Sequence, residues 1–403
     1  MNPVTVALSA NDYRAQNTLP LRVSHPEFAK LAGARVIVTL RMKESWQALN
    51  IRTSQNKRGY VMSGRLKSVS VKRFQAVGAF GKIWKTVFAT GATAAALAAV
   101  NASIRRNATE PEENALGGEA GWFDSREGRI FYKEAGAHNP GPPIIFVHGI
   151  GAGSSSFMWR KNFDALAEDF HVYALDLLGF GSSDKPATAP YAADLYTELI
   201  ADFIHEVAKA PADIISNSLA AAFTIRVADE QPELVRSLVL VAPTGSDSLR
   251  NRPGMTGAAF YGLLQSPVLG TSFYNVMSSE RSIRDYARRQ LFYDASRVTN
   301  RLVTQLYAAS HQEGAQHAIS AFLSGFLNTD VRDAFARLRQ PVTLVWGKQD
   351  QTTPIEQAAA LLSLNPRADM EIFDRCRMTP HEEHPEKFNA LIRRALRARS
   401  VAA

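Results

Sequence analysis

The chain has 403 residues, of which 46% are hydrophobic and 21% are charged. This composition is typical of a globular protein and excludes a chain dominated by disorder. The length allows one large α/β domain with an accessory segment, or two domains. The single cysteine, Cys376, excludes an intramolecular disulfide framework. We expect it to be a small buried residue rather than a catalytic thiol.

The net charge of +8 is unevenly distributed along the chain. Residues 1–106 carry a formal charge of +14, so the remaining residues carry −6. Any attraction to an anionic surface therefore belongs to the N-terminal quarter. The basic residues there are not interleaved with a row of stacking aromatic side chains, so no nucleic-acid partner is expected.

Residues 1–82 show no sustained apolar period. We interpret them as a basic extension that is poorly structured or small. One short run, ARVIVTL at 34–40, is compatible with a strand. Met62 begins the basic segment MSGRLKSVSVKRF, which directly precedes the next apolar run. The protein is therefore expected to start at either Met1 or Met62.

Residues 83–103 form an Ala-rich apolar stretch in which Lys85 is the single charge. The basic residues before this stretch are typical of a membrane anchor, and the positive-inside rule would leave the basic side cytoplasmic. Abundant basic residues with few acids are also typical of a targeting segment. An Ala-rich soluble helix is the third interpretation. We favour membrane association, with cytoplasmic or organelle localisation as alternatives.

From about residue 121, apolar runs alternate with helical stretches, which predicts a mostly parallel sheet with helices on both faces. The first run, RIFYKEAG at 129–136, is interpreted as an edge strand. Further strands are predicted at 143–149, 171–178, 212–218, 235–243, 341–347 and 369–374. A helical and aromatic insertion at about 248–333 interrupts the alternation. We interpret it as a lid over the carboxyl edge of the sheet.

Three motifs occur in order along this part of the chain. They are HGIGAGSSSFMW at 148–159, ISNSLAAAF at 215–223 and LVWGKQDQTTP at 344–354. The first follows a predicted strand, the second joins a predicted strand to a helix, and the third follows a late strand. Together they resemble the serine-nucleophile α/β-hydrolases, and the resemblance implies that residues 121–403 form a hydrolase domain with a helical lid.

The resemblance also implies roles for individual residues. Ser218 matches the nucleophile of the elbow motif, although serine and alanine flank it where glycine is commonest. The backbone N–H groups of Ile150 and Leu219 match the oxyanion hole, which binds the negative charge that develops on the substrate. Asp350 matches the acid that orients the catalytic imidazole.

The stretch CRMTPHEEHPE at 376–386 resembles the last motif of the family with two departures. Arg377 occupies the expected glycine position, and Met378 occupies the position of the catalytic histidine. A thioether accepts no proton at neutral pH, and a serine hydroxyl needs a neighbouring base to be a competent nucleophile. His381 is the first candidate for a relocated base. The other candidates are His311 and His317 in the insertion.

Two functions remain open at this point. The first is hydrolysis of a lipophilic carboxylic ester or a related acyl substrate by Ser218, Asp350 and His381. The alternative is a catalytically degenerate protein that binds an apolar ligand, or a partner at a membrane. The sequence contains no metal-binding cluster, phosphate-binding loop or dinucleotide fingerprint, so no metal or cofactor is expected in either case.

Overall fold

The computed structural model describes residues 35–42, 45–56, 59–63, 94–112, 115–246 and 248–401. The chain divides into two compact units, Met1–Gly91 and Ala92–Ala403. In the first unit, β1 (Arg35–Met42), β2 (Ser45–Asn56) and β3 (Gly59–Ser63) form an antiparallel sheet in that order. The sequence predicted one strand here, and two more pair with it. Strands can pair through backbone hydrogen bonds without a regular spacing of apolar residues, so a search for that spacing did not find β2 and β3.

The second unit contains an eight-stranded sheet in the order β11-β10-β9-β8-β6-β7-β5-β4. Its strands are β4 (Glu119–Ser125), β5 (Gly128–Ala135), β6 (Ile144–Val147), β7 (Val172–Leu175), β8 (Ala212–Asn217), β9 (Val235–Val241), β10 (Val342–Gly347) and β11 (Asp369–Phe373). Pairs β4–β5 and β5–β7 are antiparallel and the others are parallel. The predicted fold class is confirmed. The run at 129–136 is not an edge strand, because β4 covers its outer side.

The sheet is buried on both faces, as expected of parallel strands. Along β6, Ile145 and Val147 pack into one hydrophobic cluster, whereas Ile144 and Phe146 pack into another. Successive side chains of a strand point to opposite faces, so these two clusters lie on opposite sides of the sheet. All four residues have no exposed surface. The carboxyl ends of the strands are thereby held on a rigid platform.

Helices cover both faces and form the insertion between β9 and β10. They are α1 (Ala94–Arg106), α2 (Phe163–Ala167), α3 (Ala193–Phe203), α4 (Leu219–Glu230), α5 (Met255–Leu264), α6 (Leu269–Met277), α7 (Glu280–Tyr286), α8 (Asn300–Ser310), α9 (Gln316–Leu323), α10 (Arg332–Arg337), α11 (Glu356–Leu364), α12 (Pro380–Glu383) and α13 (Pro385–Val401). Helix α7 continues into a π-helical turn, Ala287–Leu291. We call α5 to α9 the helical insertion.

Helix α1 covers the second half of the Ala-rich stretch predicted at 83–103, and residues 83–93 lie outside the described residues. Asn101 of this helix is buried and donates to the backbone O of Val268 and to Ser272 Oγ at 3.1 and 3.0 Å. Helix α1 is therefore packed against α6. Within the described residues, no helix combines the length and hydrophobicity needed to cross a bilayer.

Candidate active site

Ser218 lies at the sharp turn between β8 and α4. Its backbone has φ 55° and ψ −125°, a strained conformation for a residue with a side chain. The turn is held by the Ser218 N–H, which donates to the Val241 carbonyl at 2.8 Å, and by the Thr244 N–H, which donates to the Ser218 carbonyl at 3.3 Å. A neighbouring strand therefore imposes the strain from both sides of the serine.

The small residues beside Ser218 have specific packing roles. Ser216 is fully buried, and its hydroxyl lies 2.8 Å from the hydroxyl of Thr224, which joins β8 to α4. Ala220 is also fully buried. A Cβ atom on Gly149 would lie 2.8 Å from Asn217 Oδ1 and 3.3 Å from the Asn217 carbonyl oxygen, so a side chain at this position would crowd the residue before Ser218.

Two backbone donors lie in segments that adjoin the serine: Leu219 follows it in the chain, and Ile150 follows Gly149, on which a Cβ atom would lie 3.4 Å from Ser218 Cβ. Neither the Ile150 N–H nor the Leu219 N–H has an acceptor among the described residues. Leu219 is the first residue of α4, where a helix leaves its N–H groups unpaired and its dipole favours negative charge. Both residues are buried.

His148 supports this loop rather than facing a substrate. Its Nδ1 lies 2.7 Å from the Gly149 carbonyl, and its Nε2 accepts from the Leu177 N–H at 3.0 Å. These partners define a neutral ring with the proton on Nδ1. Burial lowers the pKa of His148 and so favours that neutral form.

Asp350 follows β10 and is almost completely buried. Its Oδ1 accepts from the N–H groups of Thr352 and Thr353 at 2.8 and 3.0 Å. Its Oδ2 is buried and has no hydrogen-bond partner among the described residues. Burial raises the pKa of Asp350 to about 6, against the lowering effect of the two N–H groups. This unpaired oxygen is the atom that would accept from an imidazole in a complete triad.

Met378 lies next to the elbow. The Asn217 side chain donates to the Met378 carbonyl at 3.4 Å, which places the loop beside the residue preceding Ser218. The Met378 side chain is 8% exposed, and its Sδ lies 3.9 Å from the Tyr286 hydroxyl. The position expected for the catalytic imidazole is therefore filled by a thioether that meets a tyrosine from the insertion.

Tyr286 is a residue that sequence reasoning missed. Burial of its hydroxyl and the negative charge of Asp350 raise the pKa of Tyr286 to about 12, although the side chain as a whole is half-exposed. The hydroxyl therefore keeps its proton at neutral pH and does not replace the missing base. No sequence motif marks this tyrosine, because it reaches the site from a distant helix.

His381, the candidate for a relocated base, is enclosed in the core. Its ring centroid lies 4.3 Å from that of Trp159 and 5.9 Å from that of Phe388. Neither ring nitrogen has a hydrogen-bond partner among the described residues. Burial, with the positive charges of Arg160 and Lys161, lowers the pKa of His381 to about 3. The structure brings it into hydrogen-bond contact with neither Ser218 nor Asp350.

The two histidines of the insertion are engaged elsewhere. His311 Nδ1 lies 2.9 Å from the Tyr307 carbonyl, and its ring stacks on the Tyr307 ring at 4.0 Å. His317 Nδ1 lies 2.9 Å from Gln265 Oε1. Their hydrogen bonds therefore hold the insertion together, and none joins them to Ser218 or Asp350.

Arg377 connects the loop at Met378 to the insertion. Its guanidinium donates to the carbonyls of Arg288 and Arg289 at 2.9 and 2.6 Å, next to the end of the π-helical turn. The Thr379 hydroxyl donates to the Leu291 carbonyl at 2.9 Å. The arginine that replaces the usual glycine thus satisfies carbonyls that a helix terminus leaves unpaired.

Glu383 supports the same connection from the other side. Its carboxylate accepts from the Arg377 N–H and the Tyr293 N–H, both at 2.7 Å. Adjacent Glu382 is fully buried and pairs with Arg160 and Lys161. Within the residues that the structure describes, no group of three or more His, Cys, Asp and Glu is placed to hold a metal ion.

The fold and this site define an α/β-hydrolase with a serine at the nucleophile position. Residues 144–391 match the family described as "Alpha/beta hydrolase family", and the chain belongs to that family. A 2-hydroxy-6-oxononadienedioate/2-hydroxy-6-oxononatrienedioate hydrolase of Burkholderia vietnamiensis is 25% identical over 68% of this chain and 93% of its own length.

Two further similarities come from bacteria of another genus. A 2-hydroxymuconate semialdehyde hydrolase of a Pseudomonas species is 26% identical over 62% of this chain and 86% of its own length. The solved structure of a meta-cleavage product hydrolase from Pseudomonas fluorescens superposes with a TM-score of 0.56 at 25% identity, over 69% of this chain and 96% of that chain. The relatives are hydrolases, which agrees with the family.

Proposed function

We propose that this protein is a serine hydrolase that attacks a lipophilic carboxylic ester or a related acyl substrate through Ser218, with slow turnover because no histidine among the described residues is hydrogen-bonded to that serine. The observation that carries the proposal is the strained backbone of Ser218 beside two unpaired N–H groups. Such strain persists only where surrounding structure imposes it, and it clusters at functional sites.

In this reaction the Ser218 hydroxyl oxygen bonds to the acyl carbon, and the carbonyl oxygen takes the negative charge between the N–H groups of Ile150 and Leu219. The proton of the hydroxyl passes to water or to the departing oxygen, because Met378 accepts none. Cleavage of the ester bond releases the alcohol. Water then attacks the acyl-enzyme, releases the acid and restores the serine.

Asp350 contributes less than in a complete triad. With a pKa of about 6 it is mostly ionised at neutral pH, and its unpaired oxygen has no imidazole to orient. Loss of the base from a serine protease triad costs on the order of 10⁶ in turnover and leaves roughly 10³ to 10⁴ over water. We therefore expect activity near this residual level.

The relatives support acyl chemistry in a broad sense. Those described above are named as hydrolases of 2-hydroxy-6-oxononadienedioate and 2-hydroxy-6-oxononatrienedioate, of 2-hydroxymuconate semialdehyde, and of a meta-cleavage product. The apolar side chains of the insertion favour a lipophilic substrate for this chain.

A second candidate function is binding of an apolar ligand without turnover. It is favoured by the contact between Met378 Sδ and the Tyr286 hydroxyl, which fills the position of the catalytic imidazole. The same oxyanion donors would then hold a carboxylate or carbonyl group of the bound ligand.

A serine-reactive fluorophosphonate probe distinguishes the two functions. Slow labelling of the full chain that disappears in Ser218→Ala is the result expected of the hydrolase. The matched control is Ser216→Ala, which alters a buried serine two residues away and should retain labelling. Absence of labelling in a folded protein that still binds an apolar ligand would overturn the hydrolase proposal and establish the second function.

A further inference from the structure

A long part of the helical insertion carries no side chain that is charged at neutral pH. Residues 253–279 contain no Asp, Glu, Lys, Arg or His, and this range includes all of α5 and α6. Charged residues normally make up about a quarter of a globular protein and concentrate at its surface. Two surface helices without any charge therefore need an explanation.

These helices expose large apolar side chains. Met255 is 92% exposed and Leu263 51% exposed on α5, and on the adjacent α1 Val100 is 55% exposed. The set of exposed apolar residues on the three helices, which we call the apolar helix face, consists of Val100, Met255, Phe260, Leu263, Leu269 and Val276. Large apolar patches on a soluble surface usually mark an interaction site.

The apolar helix face is continuous, with α6 in the middle. On one flank the Phe273 ring lies 6.2 Å from the Phe260 ring of α5. On the other flank Ser272 contacts Asn101 of α1. Successive residues of a helix are rotated by about 100°, so Leu269 and Val276 project from α6 in directions between those of Ser272 and Phe273. The three helices therefore present one surface rather than separate exposed residues.

Arginines lie on α1 and in the chain segments that flank α5 and α6. Arg105 and Arg106 end α1 and are exposed. Further arginines adjoin α5 and α6 in the sequence: Arg250, Arg252, Arg281 and Arg284. The acidic residues of the same flanking segments are Glu280 and Asp285. The sequence immediately before α1 is also free of charge after Lys85, within an N-terminal quarter that carries +14.

We propose that the apolar helix face docks onto an anionic lipid bilayer, with its apolar side chains in the interfacial region and the flanking arginines near the lipid phosphates. Apolar burial and attraction to anionic lipids together are what hold interfacial helices on membranes. A second copy of the chain fits less well, because two such faces in contact would place arginines against arginines. This docking needs no membrane-spanning helix and is independent of catalysis.

Site-specific fluorescence tests the proposal on the full chain. The single native cysteine, Cys376, is buried, so a cysteine introduced at an exposed position is labelled selectively. Leu263→Cys carries an environment-sensitive dye, and Ile372→Cys, 45% exposed on β11, is the matched control. With vesicles of phosphatidylcholine and phosphatidylglycerol we expect a blue shift at the first position only, and none with phosphatidylcholine alone.

Vesicle co-sedimentation with Met255→Ser/Leu263→Ser separates the face from the basic N-terminal segment. Since both side chains are exposed, the fold should persist while affinity for anionic vesicles falls roughly tenfold to a hundredfold, with Ile372→Ser unchanged. Unchanged vesicle binding by the double variant would overturn the proposal. So would equal binding to both vesicle types, or a dimer in sedimentation velocity that the double variant abolishes.

Discussion

The two sides of the candidate site differ in what builds them. On the nucleophile side, Ser218 and two N–H donors are positioned by backbone contacts with a neighbouring strand and a helix terminus. On the proton-transfer side, the family resemblance predicts a single histidine side chain, and the residue at the predicted position is Met378. Backbone geometry tolerates many substitutions, whereas loss of an imidazole removes the base in a single step.

On the proton-transfer side, two residues contact the helical insertion. Arg377 binds the carbonyls at the end of the π-helical turn, and Met378 Sδ meets the Tyr286 hydroxyl. Both contacts join the loop that contains Arg377 and Met378 to the insertion. The two sides therefore differ in what defines them: backbone contacts position Ser218 on one side, and the side chains of Arg377 and Met378 contact the insertion on the other.

The largest expected effect comes from restoring the base. In Met378→His the new imidazole would lie beside the elbow, where Asp350 offers an unpaired carboxylate oxygen. We expect ester turnover to rise by about 10³ or more, measured as kcat with an activated ester. Met378→Leu keeps the apolar volume without a nitrogen and should show no gain. A folded histidine variant that is no faster would mean that the nucleophile side is also incompetent.

The next effect concerns Asp350 and stability. Its folded-state pKa is raised to about 6, so its stabilising contribution is complete below the ordinary value of 3.8 and is lost as the pH rises through about 6. Asp350→Asn should therefore raise the free energy of unfolding at pH 7.5 by on the order of 1–3 kcal/mol, and by less at pH 4.5. Urea unfolding at both pH values measures this.

The matched control for that experiment is Asp374→Asn. Asp374 is exposed, and its pKa is lowered, chiefly by a hydrogen bond from Gln349. Its replacement should not stabilise the protein at pH 7.5. An Asp350→Asn variant that is no more stable than the native chain at pH 7.5 would contradict the buried, unpaired state of this carboxylate.

A smaller effect is expected where Arg377 joins the insertion. Arg377→Ala leaves several carbonyls of the π-helical turn without a donor, at about 1 kcal/mol for each lost bond. Amide hydrogen exchange in residues 287–292 should accelerate roughly tenfold. Arg281→Ala removes an exposed arginine of α7 and should leave those rates unchanged. Equal protection in Arg377→Ala would show that the loop does not hold the insertion.

The smallest effect is expected at His381. Because its ring nitrogens have no hydrogen-bond partner in the part of the chain that the structure describes, and the ring packs on Trp159, His381→Phe should keep fluorophosphonate labelling within about twofold of the native rate. A relocated base would instead make this variant at least about a hundredfold slower. His384→Phe, which alters a neighbouring histidine bonded to the Arg375 carbonyl, is the control.

Much of the fold followed from the sequence, because each buried strand is a short apolar run and each run is bounded by turn residues. Ser218 and Asp350 could be singled out because the motifs around them resemble those of the serine-nucleophile α/β-hydrolases. Each lies at the carboxyl end of a predicted strand, where side chains meet at one edge of a parallel sheet. Strand β4 was missed because it lies at the edge of the sheet and has few buried residues.

Other features depended on tertiary contacts. Composition alone indicated no tertiary contacts for the Ala-rich stretch at 83–103, whereas the hydrogen bonds of Asn101 place the part of it that forms α1 against α6. The sequence shows that His381 lies three residues after Met378, but it does not show that the His381 ring points into the core. Tyr286 reaches the site from a separate helix, and no local pattern records a contact between residues so far apart in the chain.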